Sequence, residues 1–179
     1  MVEVSSKFGE KLSSKGTLHP YQLSIKDSLA KHLIEGGYKR IMMEMPTGAG
    51  KTMTALELVV DFIRSHQFSG MIVWIVDSNE LANQAFESFV SLWKLRGDRV
   101  AFSYRFFNKF KPDFSKCEPG IVFTSFTTCN AAHTSNNLDV RKNFELLSKS
   151  AELIIVDEAH SSAAVTHFET ILKFNNTNV

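Results

Sequence analysis

Apolar residues recur along the chain in two alternating rhythms, one of helical spacing and one of short unbroken runs. Leu18 to Gln22 opens a helical segment that runs to about Glu35, with Leu29, Leu33 and Ile34 on one face. Gly36 and Gly37 stop it. Arg40 to Met45 is short and apolar, the pattern of a buried strand, and Pro46 to Gly50 is a turn of small residues. Helical spacing returns from Thr52 to His66 through Leu56, Val59, Val60 and Ile63. Met71 to Val76 is continuously apolar, as expected of a strand buried on both faces. Asp77 and Glu80 form a capping-box-like start for a helix running to about Leu95. Val100–Phe107, Ile121–Thr124 and Leu153–Val156 read as further strands, and Ala163–Phe174 as a last helix. Asn130–Asp139 reads as a surface loop, followed by a short helix over Val140–Ser148. Strands alternating with helices predict an α/β fold, a parallel sheet with helices on both faces. Residues 1–16 are polar and read as a flexible leader before a single domain over 17–179.

Composition adds limits. A chain of 179 residues that is 44% hydrophobic and 22% charged can bury a core without disulfides or metal. The fifteen Phe are read as core packing. Net charge is +1, so any nucleic-acid contact must come from a local groove rather than a general positive field. Cys117 and Cys129 form no CxxC pair and have no ligand-spaced histidines, which predicts reduced thiols and no zinc site. There is no apolar signal core at the start, and the apolar runs are strand-sized, so a cytoplasmic protein is expected, or a nuclear one if the source has a nucleus.

Chemistry concentrates in two places. Pro46-Thr47-Gly48-Ala49-Gly50-Lys51-Thr52 lies between a predicted strand and a predicted helix, the setting of a phosphate-binding loop. Gly48 and Gly50 let the backbone curl so that successive amides point inward. The helix start aims its positive end at the phosphates. Lys51 would reach the β- and γ-phosphates, and Thr52 would place its hydroxyl on Mg²⁺. The general pattern opens with Gly, where this chain has Met45. The second place is Leu153-Ile154-Ile155-Val156-Asp157-Glu158-Ala159-His160, an apolar strand ending in two adjacent carboxylates. At the carboxyl end of a central parallel strand both would face the crevice where ligands bind. Asp157 is read as a Mg²⁺ holder and Glu158 as the group that orients and deprotonates the attacking water.

These two motifs together resemble superfamily-two helicases and translocases, whose second motif reads Asp-Glu-Ala-His. Leu18-His19-Pro20-Tyr21-Gln22 is similar to a segment found ahead of the phosphate loop in restriction-enzyme motor subunits and excision-repair helicases. The resemblance implies a RecA-like, P-loop NTPase fold that binds ATP and Mg²⁺, with Gln22 reading the adenine edge and Tyr21 shaping the base pocket. The family's Arg is His19 here. Val76 to Gln84 resembles motif Ia and Thr124-Ser125-Phe126 motif Ib, which implies DNA contacts by Ser78, Asn79, Thr124 and Ser125; a helix cap and a plain strand end are the other readings of these positions. His160 is implied to link the ATP site to the next motif. The other five histidines read as structural, and Arg96, Arg99 and Arg105 as a solvated basic cluster.

The chain ends at Val179, ahead of the Ser-Ala-Thr motif and of the second RecA-like domain with its arginine finger, which are expected elsewhere in a longer polypeptide. Expected partners are DNA rather than RNA, that second domain, and nuclease or specificity domains or subunits. The expected activity is DNA-dependent ATP hydrolysis in a restriction, defence or repair system. A non-hydrolysing nucleotide-gated scaffold, or a P-loop ATPase of another class, remains open at this point.

Overall fold

Four parallel strands and five helices make up the computed structural model, which describes residues 18–34, 41–46, 48–65, 69–157 and 169–174. In chain order these are α1 (Pro20–Ile34), α2 (Lys51–Ser65), β1 (Met71–Val76), α3 (Asn79–Arg96), β2 (Phe102–Phe106), β3 (Gly120–Ser125), α4 (Phe126–His133), α5 (Leu138–Ser150) and β4 (Ala151–Val156). The sheet order is β2-β3-β1-β4, and every pairing is parallel. The α/β reading is therefore correct.

The unbroken apolar runs have a simple cause. β1 and β3 are the two inner strands, and every residue of each is buried. Alternate side chains feed different layers. Ile72, Trp74 and Val76 join Ile121 and Phe123 in a core under α2 and α3, with Leu56, Val59 and Phe89. Met71, Val73 and Ile75 join Val122 and Ile154 in a second core under α4 and α5, with Phe126, Phe144 and Leu147. Each such side chain contributes about 1.5–3 kcal/mol relative to exposure. Among the described residues eight phenylalanines are buried, so the core-packing reading of that residue type holds for them.

Three expectations need correction. Residues 41–46 form no ladder, although Met45 is buried, and Met42 is almost fully exposed. None of the four strands pairs with this segment, so its apolar pattern is not enough to make a strand. The predicted 130–139 loop is largely helical. α4 buries Phe126, Cys129 and Ala132 at three-residue spacing, too short an apolar series to stand out among Thr, Asn and His. Only residues 134–137 separate α4 from α5, whose Asn137 cap accepts from the Asp139 and Val140 amides. Finally, α3 is capped by Ser78 and not Asp77, the Ser78 hydroxyl accepting from the Leu81 amide. The leader and the first part of the predicted 163–174 helix lie outside the described residues; 169–171 are helical.

Parallel pairing carries every strand's carboxyl end to the same rim. From one edge to the other that rim presents the turn after β2, the Ser125–Phe126 junction after β3, Asp77 to Asn79 after β1, and Asp157 after β4. Ligands of open α/β sheets bind along this rim.

Candidate nucleotide and nucleic-acid site

The turn into α2 is built as an anion cradle. Gly48 and Gly50 have φ of +77° and +81°, the left-handed region that favours glycine. The Ala49 amide donates to the Pro46 carbonyl at 3.1 Å, closing the turn, and the Thr54 amide takes the Gly50 carbonyl at 2.9 Å, starting the helix. The first-turn amides of α2 are then free of helical acceptors and carry the positive end of its dipole. Lys51 and Thr52 are half-buried in that first turn.

Helix α1 braces the loop from outside. Gln22 is buried; its Nε2 donates to the Ala49 carbonyl at 2.8 Å, and its Oε1 accepts from the His19 amide at 2.7 Å. Tyr21, which is exposed, donates its hydroxyl to the same Ala49 carbonyl at 3.1 Å and stacks on His19. A Cβ added at Gly50 would lie 2.5 Å from Gln22 Nε2. The Tyr-Gln pair thus meets the phosphate loop directly.

The two chemical motifs meet as well. Thr52 Oγ1 donates to Asp157 Oδ2 at 2.6 Å, across a separation of 105 residues. The Asp157 amide donates to the Ile75 carbonyl at 3.0 Å, which extends the β1–β4 pairing by one step and fixes the carboxylate at the rim. A hydroxyl and a carboxylate in contact beside an anion cradle are hard oxygen donors of the kind that would suit Mg²⁺. Thr47, Glu158 and His160 lie outside the described residues.

Along the rest of the rim the predicted contact residues are tied to one another. Asn79 Oδ1 accepts from Ser125 Oγ at 2.6 Å and from Thr128 Oγ1 at 3.0 Å, and its Nδ2 donates to Asn108 Oδ1 at 3.0 Å. Ser125 is buried and also caps α4, accepting from the Thr128 amide. Thr124 is fully buried, and its hydroxyl donates to the Phe106 carbonyl at 2.8 Å. Ser78 and Asn79 therefore sit at the surface of the rim, whereas Thr124 and Ser125 hold the rim together from below. Asn108 and Thr128 belong to this network without any signal in the sequence, because a loop Asn and a Thr inside a polar helix have no pattern of their own.

An ion network behind the loop also escapes a sequence reading. Glu57 and Asp61, one turn apart on α2, meet Arg96 at the end of α3, and Asp61 also meets Lys26 of α1. Glu57 is buried, and its Oε1 finds no partner among the described residues. Burial pushes the Glu57 carboxyl up, against the opposing pull of Arg96. The basic cluster expected to be solvated is engaged: Arg96 in this network, Arg99 on Asp98 and the Arg64 carbonyl, Arg105 on Glu87 and over the Phe86 ring. Cys117 and Cys129 are free thiols; burial pushes the Cys129 thiol up to about 12.

Comparison with known proteins bears on the whole domain. The family described as "Type III restriction enzyme, res subunit" matches residues 15–179. No curated protein matches. Among solved structures, the UvsW helicase from bacteriophage T4 is similar with a TM-score of 0.58 at 19% identity, over 89% of this chain and 49% of that one. A nuclease-deletion mutant of the type ISP restriction-modification enzyme LlaGI, in complex with a DNA substrate mimic, is similar with a TM-score of 0.58 at 18% identity, over 89% of this chain and 16% of that one. At these identities the likeness is one of fold, and the chain spans about half of the first structure and a small part of the second. Among the described residues no helix is long and apolar enough to cross a membrane.

Proposed function

The chain belongs to the type III restriction enzyme res subunit family, and on that premise we propose that it is the ATP-binding domain of a DNA-dependent motor, the first RecA-like domain of a helicase or translocase in a restriction-type system acting in the cytoplasm. The observation that carries the reading is the 2.6 Å hydrogen bond from Thr52 to Asp157, which joins the phosphate loop to the carboxyl end of β4.

In this reading the loop from Thr47 to Thr52 binds the triphosphate through its amides and Lys51, while Gln22 and Tyr21 meet the adenine end. Thr52 and Asp157 would hold Mg²⁺, which would neutralise charge on the triphosphate. Glu158 orients the attacking water and takes its proton, and His160 relays the state of the site onward. Catalysis of this kind is mostly positioning and charge stabilisation. A second RecA-like domain of the same polypeptide supplies the arginine that stabilises the transition state, a contribution of about 10³ to 10⁵ in rate. Nuclease or specificity domains complete the system. DNA follows the rim of β-strand ends, meeting Ser78 and Asn79, with Thr124 and Ser125 supporting that surface. The DNA substrate mimic held by the LlaGI enzyme supports DNA as the track.

The test is ATP turnover by the complete polypeptide, with and without DNA, beside Lys51→Ala and Glu158→Gln. Turnover raised by DNA and lost in both variants is expected. Turnover indifferent to every nucleic acid would move the domain to another P-loop class, and DNA binding without any turnover would make it a nucleotide-gated scaffold.

A further inference from the structure

The turn that follows β2 lies on the same rim, and no motif assigns it a role. Its sequence from Arg105 to Lys111, Arg-Phe-Phe-Asn-Lys-Phe-Lys, has three basic residues and no acid, interleaved with aromatics. The turn is tight. Phe107 is buried and anchors it, the Phe110 amide donates to the Phe107 carbonyl at 3.0 Å, and the two rings meet edge-on at 5.9 Å. Asn108 adopts φ +53°, the one non-glycine in the left-handed region among the described residues. It is held there by the Asn79 side chain, the node of the rim network. A left-handed Asn pinned by a hydrogen bond is a conformation maintained by its surroundings.

What the turn presents is Asn108, Lys109, Phe110 and Lys111, all exposed. Arg105 is neutralised by Glu87 and lies 5.1 Å from the Phe110 ring centroid, supporting the ring from one side. Lys109 Nζ stands 5.7 Å from the same centroid. Among the described residues neither Lys109 nor Lys111 forms an ion pair. Three strand spacings separate β2 from β4, so the turn is about 15 Å along the rim from Asp157. It lies outside the ATP pocket and in line with Ser78 and Asn79.

We propose that the Asn108–Lys111 turn is a DNA-binding element at the end of the track, with Lys109 and Lys111 on successive phosphates and Phe110 as a stacking platform for an unpaired base. Asn108 is a positioning residue that orients the turn through Asn79. A positive groove with an exposed ring is the means by which single strands are held without sequence preference. A chain of +1 net charge offers no general field to draw DNA in, so within it a local patch is what can attract a strand. The inference rests on the DNA-motor reading above.

The experiment is equilibrium binding of a mixed-sequence single-stranded DNA to the complete polypeptide over a range of salt. Three variants are compared with wild type: Lys109→Ala with Lys111→Ala, Phe110→Leu, and a charge-matched control, Lys142→Ala with Lys149→Ala on exposed positions of α5. Each phosphate contact on a single strand contributes about 0.7 to the slope of log affinity against log salt. The turn double variant should lower the slope by about 1.4, and the α5 pair should leave it unchanged. Phe110→Leu keeps the apolar bulk and should weaken binding about ten-fold at every salt concentration, with the slope intact. An unchanged slope in the turn variant, or an equal fall in the α5 control, overturns this inference alone. Failure of the wild type to bind DNA overturns it together with the motor reading.

Discussion

Gly48 and Gly50 provide a controlled pair for testing how the phosphate loop is built. Both have left-handed φ, +77° and +81°, but a Cβ at Gly48 meets nothing within 4 Å, whereas one at Gly50 meets Gln22 Nε2 at 2.5 Å. Alanine at either position takes on the left-handed penalty, about 1–2 kcal/mol. At Gly50 it also displaces the Gln22 amide, and with it the hydrogen bonds to the Ala49 carbonyl and the His19 amide. Those two bonds contribute about 0.5–1.5 kcal/mol each. Gly48→Ala should therefore cost about 1–2 kcal/mol and Gly50→Ala about 2–5 kcal/mol. Urea unfolding followed by fluorescence of Trp74 and Trp93 measures the difference, which should appear as a midpoint roughly 1 M lower for Gly50→Ala. The excess should vanish in a Gln22→Ala background, because the two positions couple through one side chain. Equal midpoints for the two alanine variants, or an excess that survives removal of Gln22, would refute the claim that α1 braces the loop through Gln22.

Other parts of the structure make independent predictions. Lys26→Met leaves Asp61 with one partner fewer in a network that is only partly exposed, and should cost about 1–3 kcal/mol in thermal melting, with Lys26→Arg restoring most of it. The folded-state pKa of Glu57 is raised by burial, so its contribution to stability is fully present below its unfolded value of about 4.5 and is lost as pH rises through the folded one. Wild type measured against Glu57→Gln should accordingly lose relative stability with rising pH above that point, and a pH-independent difference would contradict this. Trp74 is fully buried and its Nε1 finds no partner among the described residues, so Trp74→Phe removes an unpaired donor along with some bulk. It should cost no more than about 1–2 kcal/mol, against about 3–5 for Trp74→Ala, as read from the same urea titration.

The elements that were legible in the sequence are those whose side chains face a core on both sides or along a stripe. β1 and β3 are unbroken apolar runs because each is covered above and below, and α2 shows Leu56, Val59, Val60 and Ile63 because one face meets the sheet. The phosphate loop was legible because left-handed turns favour glycine, a constraint of the backbone itself. α4 was missed because eight residues with three buried positions cannot outweigh their polar neighbours. The segment 41–46 was misread for the opposite reason: its apolar pattern is present, but strand structure needs a partner, and pairing is a property of the sheet and not of the segment. The rim network and the Glu57 cluster were invisible because nothing in the sequence ties Asn79 and Ser125 to Asn108 and Thr128, or Glu57 and Asp61 to Arg96 and Lys26. Only the fold brings them into contact.

The most direct test of the central claim is movement itself. A triplex-forming strand bound ahead of the complete polypeptide on duplex DNA reports passage of a motor by its displacement. The account predicts displacement that requires hydrolysable ATP and Mg²⁺, and that is lost in Asp157→Asn, in which the oxygen facing Thr52 is no longer part of a charged carboxylate. Displacement that persists in Asp157→Asn, or ATP consumed with neither displacement nor dependence on DNA, would contradict it.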